Sequence, residues 1–455
     1  MEFKSLLQSP IFRAFSDLGK AIFQSTGIFF WSGRAKKEAE FNASIGEAVG
    51  LESDIVPEGR KVKIPYYLPQ VKKYVSMAPE NLVAYAPILG VPKLRDLWEE
   101  WVIYKGKHGS NLPSGPIDVS GKLTKPAMVS GITDAIFILS RMFANPGELM
   151  LSPNMRWENY NSIITMQNGI KIEPFPLFDG LKLNVSAMGA AMERVAANQD
   201  KIVMIVNFPN NPTGYCPTQA ETKQFVDTCI AFCTKTNKPL VLLIDDAYEG
   251  YTYTEDRINR SIFYELVDKH PLIIPIKMDG ASKEMLLYGA RLAAITLGVH
   301  HDWCKPADFA NFDKEWDNKL QAMIRSTISN CNHFGQEVLI DVMSKGFDGL
   351  LAEREKVIAI LRKRYELSVA AYEKYKHPKI TMLPPGGGFF VFLNIEGIDA
   401  DKLADHLLVK YKTGTIPLAS KTEGYSGLRV AYVSVPDAQI DEVFSRIKQA
   451  VIDLS

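Results

Sequence analysis

Apolar positions in the middle of the chain follow two alternating patterns. Short, nearly continuous apolar runs recur as "GELMLSP", "KIVMIVNF", "PLVLLIDDAYEG", "PLIIPIKM" and "RLAAITLGV". Runs of this kind, closed by turn-forming residues, read as strands buried on both faces. Between them lie segments with helical spacing. "SGITDAIFILSRMFA" places Ile132, Ala135, Ile136, Leu139 and Phe143 on one stripe, with Ser130 or Thr133 positioned to cap its start. "QAETKQFVDTCIAFCTKTN" is helical by the same period. Strands apolar on both faces, alternating with helices, predict an α/β domain with a mostly parallel sheet. Ligands of such sheets gather at the carboxyl ends of strands, and Asn211, Asp245 and Lys283 all fall just past predicted strand ends.

The texture changes in the last third. A long charged helical region near residues 335–376 precedes "PPGGGFFVFLNI", the helix "ADKLADHLLVKY", the strand "GLRVAYVSV" and a terminal helix "DAQIDEVFSRIKQAVIDL". This mixture predicts a smaller α+β domain, with the first 60 residues expected to pack beside it. No fixed-period repeat or low-complexity tract interrupts the pattern.

Composition narrows the function classes. Acidic and basic residues balance at 52 each in 455 residues, which argues against a broad nucleic-acid surface. The five cysteines (Cys216, Cys229, Cys233, Cys304 and Cys331) form no paired framework. Cys229 and Cys233 are expected on one helix face, as packing residues in a reducing compartment; no metal site is expected. Arg13, Asp17 and Lys20 interrupt the apolar run before "GIFFW", so neither a membrane span nor a secretory signal is expected and the location reads as cytoplasmic.

Four chemical needs can be met from this sequence if the cofactor is pyridoxal phosphate. An amine must hold its aldehyde as a Schiff base, and Lys283 in "DGASKEM" follows a strand. A carboxylate must keep the pyridine nitrogen protonated, and Asp245 ends "VLLIDD". Tyr248 and Asn211 could bond the ring's phenolic oxygen. A phosphate needs a helix N-terminus, which "SGITDAI" supplies together with Thr133, and Arg291 adds a planar fork. An amino acid's carboxylate suits an arginine, and Arg429 interrupts the apolar strand "GLRVAYVSV". Taken singly, each residue also has an ordinary use as a cap, a turn, a packing aromatic or a surface ion pair.

In combination and in order, "YAPILGVPKLRDLW", "SGITDAI", "NNPTG", "IDDAYEG", "ASKEMLLYGAR" and "GLRVAYVSV" resemble the fold-type I, pyridoxal-phosphate-dependent aminotransferases of class I/II, the aspartate and aromatic aminotransferases among them. The resemblance spans about residues 40–440. It implies a three-layer α/β/α large domain at residues 62–333, and a small α+β domain built from residues 1–61 and 334–455. Lys283 then corresponds to the Schiff-base lysine and proton shuttle, Asp245 to the partner of the pyridine nitrogen, and Asn211 and Tyr248 to the ligands of the phenolic oxygen. Trp157, in "SPNMRWENY", matches the aromatic flanking the ring, with Asn159 as a neighbour. Arg291, Thr133 and the Ile132 backbone match phosphate ligands. Gly46 and Arg429 match substrate-binding positions. Tyr85 matches a tyrosine that reaches the neighbouring subunit's phosphate, which implies a homodimer. Arg325, in "IRSTISN", stands where aspartate-type enzymes bind a distal carboxylate.

Departures are local. "CN" replaces the usual proline pair after "SN", Gly280 replaces a common hydroxyl residue, and Ile132 replaces a small one. The implied reaction is ping-pong transfer of an amino group from an L-amino acid to a 2-oxo acid such as 2-oxoglutarate. A lyase or decarboxylase of the same fold, or a catalytically silent cofactor-binding regulatory protein, shares most of these residues. Aromatics such as Phe29, Phe30 and Trp31 could shape the donor pocket or belong to the core.

Overall fold

Alternate residues of the central strands face two different cores. The structure, a computed structural model, describes Leu18 and residues 27–72, 83–109 and 112–455; Arg13, Asp17 and Lys20 lie outside these. Seven strands form one sheet: β1 (Ala127–Val129), β2 (Leu149–Pro153), β3 (Lys171–Phe175), β4 (Ile202–Asn207), β5 (Leu240–Asp245), β6 (Ile273–Gly280) and β7 (Ala293–Leu297), in the order β1-β7-β6-β5-β4-β2-β3. Ile202, Met204 and Val206 join one apolar cluster while Val203 and Ile205 join the other, and β5 divides in the same way. Such division follows from the two-residue period of a strand covered by helices on both faces.

Pairing is parallel from β3 through β6, whereas β7 runs antiparallel to both β6 and β1. The large domain is therefore α/β with a mixed, mostly parallel sheet. Register aligns the functional ends: Asp245 is level with Asn207 on β4 and Met278 on β6. The helix Ile132–Phe143 follows β1 and buries Ala135, Ile136, Ile138 and Leu139. Neither Ser130 nor Thr133 caps it through its side chain. Gly131 occupies the cap position, and the Ser130 backbone N–H donates to Asp134 instead.

A second, antiparallel sheet contains β8 (Ile380–Met382), β9 (Val391–Ile395), β10 (Ile416–Ser420) and β11 (Tyr425–Val430), in the order β8-β9-β11-β10. The charged region before it forms two helices, His333–Met343 and Phe347–Lys374. Helices Ala400–Tyr411 and Asp437–Asp453 complete the smaller α+β unit. The described part of the N-terminal segment joins it, since Phe41–Asn42 pairs in parallel with Thr413–Gly414. Cys229 and Cys233 are buried in the helix Gln219–Thr236 as packing residues. No helix among the described residues is long and apolar enough to cross a membrane.

Candidate active site

A cavity of about 220 Å³ lies at the carboxyl ends of β4, β5 and β6, where the second sheet meets the first. Eleven of the residues singled out in the sequence line it: Gly46, Ile132, Thr133, Trp157, Asn211, Asp245, Tyr248, Gly280, Lys283, Arg291 and Arg429. Their elements arrive from positions far apart in the chain, so the convergence is a product of the fold.

Asp245 is buried. Tyr160 donates its hydroxyl to Asp245 Oδ2 at 2.5 Å, and the Ala247 N–H donates to Oδ1 at 3.1 Å. Burial pushes the carboxyl above the usual carboxylate range, while the two donors and the Lys283 charge pull it back. Lys283 is half-buried in the short helix Ala281–Glu284. Burial lowers its pKa, and the nearby Arg291 charge lowers it further. Its Nζ stands 5.9 Å from the ring centres of both Tyr248 and Tyr288. Burial drives the Tyr248 hydroxyl upward, so it stays protonated and able to donate.

At another wall the helix Ile132–Phe143 points its N-terminus into the cavity. Its first N–H groups have no carbonyl partner within the helix. Gly131 has φ +79°, and a Cβ there would lie 2.6 Å from Arg291 Nη2. A guanidinium is thus packed against the positive end of a helix, an arrangement that favours an anion between them. Arg291 also donates to Ser282 Oγ at 3.1 Å and has φ 52°, a left-handed conformation that costs a side chain about 1–2 kcal/mol.

Arg429 lies on β11 beside Phe392 and Ile416. It is buried, donating to Asn211 Oδ1 and to the Ser44 carbonyl, each at 3.1 Å. Its guanidinium sits 4.2 Å from the Phe390 ring centre, and its Nε is buried without a hydrogen-bond partner. Burial pushes its pKa down to about 10. Gly46 must be small, because a Cβ would approach Phe390 Cζ to 2.8 Å.

Two residues from the sequence match lie outside this cavity, Tyr85 having been expected at the neighbouring subunit's phosphate. Tyr85 is 91% exposed and Arg325 is exposed at a helix end, donating to Ser329; neither lines this chain's cavity. Asn159 does not line it either, and Trp31 is core while Phe30 is exposed; the Phe29 side chain lies outside the described ones. Sequence reasoning missed Tyr160, Asn207, Ser282, Phe390 and Ile28. A signal existed for Asn207, a polar residue closing an apolar strand level with Asp245. Nothing in the sequence marked Phe390 apart from its neighbours in "GGGFFVF".

Residues 118–447 match the family "Aminotransferase class I and II". The chain belongs to that family. This aminotransferase is 24% identical over 388 residues to the "Probable aspartate/prephenate aminotransferase" of Aquifex aeolicus, covering 82% of this chain and 85% of that one. It is 26% identical over 316 residues to the "1-aminocyclopropane-1-carboxylate synthase 6" of Oryza sativa, covering 66% and 53% respectively. A solved aminotransferase from Anaerococcus prevotii shares the fold at a TM-score of 0.77 and 21% identity, over 96% of this chain and 99% of that one.

Family membership carries pyridoxal-phosphate-dependent transamination as the general activity and implies that cofactor. The residues present fit it. An anion-seeking helix end faces Arg291, a buried acid has two donors already fixing it, an amine has a lowered pKa, and the orphaned Nε of Arg429 awaits an acceptor.

Proposed function

We propose that the protein moves the amino group of an L-amino acid to a 2-oxo acid, 2-oxoglutarate being the expected acceptor, in two half-reactions of ping-pong type. The observation that carries this reading is the meeting of Lys283, Asp245, the Ile132–Phe143 helix end and Arg429 around one cavity. When bound, pyridoxal phosphate supplies an aldehyde that an amine can capture and a ring that takes up negative charge from the substrate's α-carbon.

The chain's own residues do the rest. The Lys283 amine holds the cofactor and, once released, carries the proton leaving the α-carbon; burial and the Arg291 charge lower its pKa, which favours the neutral, basic form. Asp245, oriented by Tyr160, supplies the negative charge that keeps the pyridine nitrogen protonated. Tyr248 and Asn211 donate to the phenolic oxygen. The Ile132 and Thr133 N–H groups, Thr133's hydroxyl and Arg291 hold the phosphate. Trp157 flanks the ring. Arg429 grips the substrate carboxylate beside Gly46, already aimed by Asn211 and Ser44.

Tyr85 and Arg325 extend the proposal to a homodimer. Their exposure supports a reading in which each serves the partner's site, Tyr85 at the phosphate and Arg325 at a distal carboxylate. The proposed domain limits are 62–333 for the large domain, with 1–61 and 334–455 forming the small one. A cytoplasmic location accompanies this reading.

Likeness to the rice synthase keeps a lyase as the second reading. Product analysis separates them: purified protein, pyridoxal phosphate, 2-oxoglutarate and a panel of donors (aspartate, tyrosine, leucine, alanine) should yield glutamate in proportion to donor lost. Release of ammonia or of a cyclised product without amino transfer would overturn the proposal.

A further inference from the structure

Directly behind the cavity lies a cluster of charge that the mechanism does not use. Lys105, Lys277, Asp246, Glu249, Asp279 and Glu284 are each at most 1% exposed. Lys105 Nζ donates to Glu249 Oε2 at 2.6 Å, Glu284 Oε1 at 2.8 Å and Asp279 Oδ2 at 3.0 Å. These three carboxylates stand close enough together to hold a metal ion, and the lysine's ammonium fills that place. Lys277 Nζ donates to Glu249 Oε2 at 2.7 Å and also to Asp246. Two indoles complete the set, Trp98 donating to Asp279 and Trp101 to Glu284, both at 2.9 Å.

Position in the sequence gives the cluster its meaning. Asp246 follows Asp245, Glu249 follows Tyr248, Glu284 follows Lys283, and Asp279 precedes the cavity-lining Gly280. In each pair one residue lines the cavity while its neighbour belongs to the cluster. Lys105 comes from outside this group, on the helix Pro92–Lys107. Buried ion pairs are a weak source of stability, since a well-packed apolar core of similar volume is often at least as stable. Stability alone therefore does not account for six charges here.

We propose that Lys105 is a positioning residue whose ammonium binds the segments carrying Tyr248 and Lys283 into one unit, with Lys277 extending it to the segment carrying Asp245. The unit holds these side chains in register toward the cavity and balances the negative charge behind Lys283. Two backbone anchors agree with this: Tyr251 donates to the Lys283 carbonyl at 2.7 Å, and Arg354 to the Glu249 carbonyl at 3.1 Å. Burial pushes the Asp246 carboxyl upward, and the Lys277 ammonium beside it pulls it back. The inference rests on the aminotransferase reading of Asp245, Tyr248 and Lys283.

The test compares cofactor-loaded parent and Lys105→Met protein. We expect kcat to fall about 10- to 100-fold, the scale of a small misplacement of reacting groups. KM for the amino donor should stay within about threefold, because Arg429 hangs on Asn211 and Ser44, outside the cluster. The pH midpoint of the cofactor's absorbance change should rise by about half a unit or more, because uncompensated acids favour a protonated Lys283 nitrogen. The groups already facing Lys283 (Arg291, Arg429, Asp245 and Glu47) are unchanged in this variant.

Glu284→Gln removes one negative charge and should move the midpoint the opposite way, which decides the matter if Lys105→Met fails to fold. A folded Lys105→Met protein with a lower melting temperature but the parent's kcat and midpoint would overturn the proposal, as would a Glu284→Gln protein with an unmoved midpoint. A parent that binds no cofactor or transfers no amino group would instead refute the aminotransferase reading.

Discussion

Tyr160→Phe removes a single oxygen from the site. That oxygen donates to Asp245 Oδ2 at 2.5 Å, and both groups are buried. The ring stays in place, so packing is nearly unchanged. A hydrogen bond to an ionised group contributes about 1.5–3 kcal/mol. At 1.36 kcal/mol per pH unit, its loss raises the Asp245 pKa by about one to two units. The direction is fixed by the structure: burial already pushes this carboxyl upward, and the Tyr160 bond is a principal force holding it down. The proposed role of Asp245 uses the ionised form, so the acid limb of kcat/KM should move up by about one to two pH units. At high pH, where Asp245 is ionised in both proteins, the plateau should stay within about threefold. The assay is kcat/KM across pH with one donor for parent and variant, with thermal melts at the plateau pH. An unmoved acid limb in a variant that melts like the parent would refute the argument.

Other perturbations probe the remaining walls. Arg429→Met should raise KM for the amino donor about 10- to 100-fold while shifting the melting temperature by only a few degrees, since it removes a desolvated charge along with two hydrogen bonds; steady-state kinetics and calorimetry check both. Gly131→Ala places a Cβ against Arg291 at a backbone angle disfavoured for alanine, and should weaken cofactor binding about tenfold or more in an equilibrium titration. In the cofactor-free protein, Lys283 should deprotonate below the ordinary lysine range of about 10.4, as read by titrating a ¹³C-methyl label on its amine; a midpoint at or above that range would contradict its role as base.

The sequence made the central strands legible because their burial is continuous along the chain. β4 and β5 are apolar at nearly every position, and the polar residues that close them mark the site. Lys283 and Asp245 were legible for the same reason, each being a reactive group at a strand end. Tyr160 was not, because its importance lies in a contact with a residue 85 positions away. Nothing in "YKGK" marks Lys105; only the convergence of acids 144 to 179 positions distant makes it a buried node. The Ser130/Thr133 cap failed because Gly131 holds the cap position, where a Cβ would run into Arg291. Tyr85 and Arg325 are exposed and outside this chain's cavity, so the sequence match for them finds no counterpart within one chain.

Covalent capture of the cofactor tests the central claim most directly. Protein saturated with pyridoxal phosphate, reduced with borohydride, digested and mapped by mass spectrometry should carry the cofactor on the peptide containing Lys283, and Lys283→Ala protein should carry none there and turn over no donor. Cofactor fixed to another lysine, or full turnover by the Lys283→Ala protein, would contradict the account.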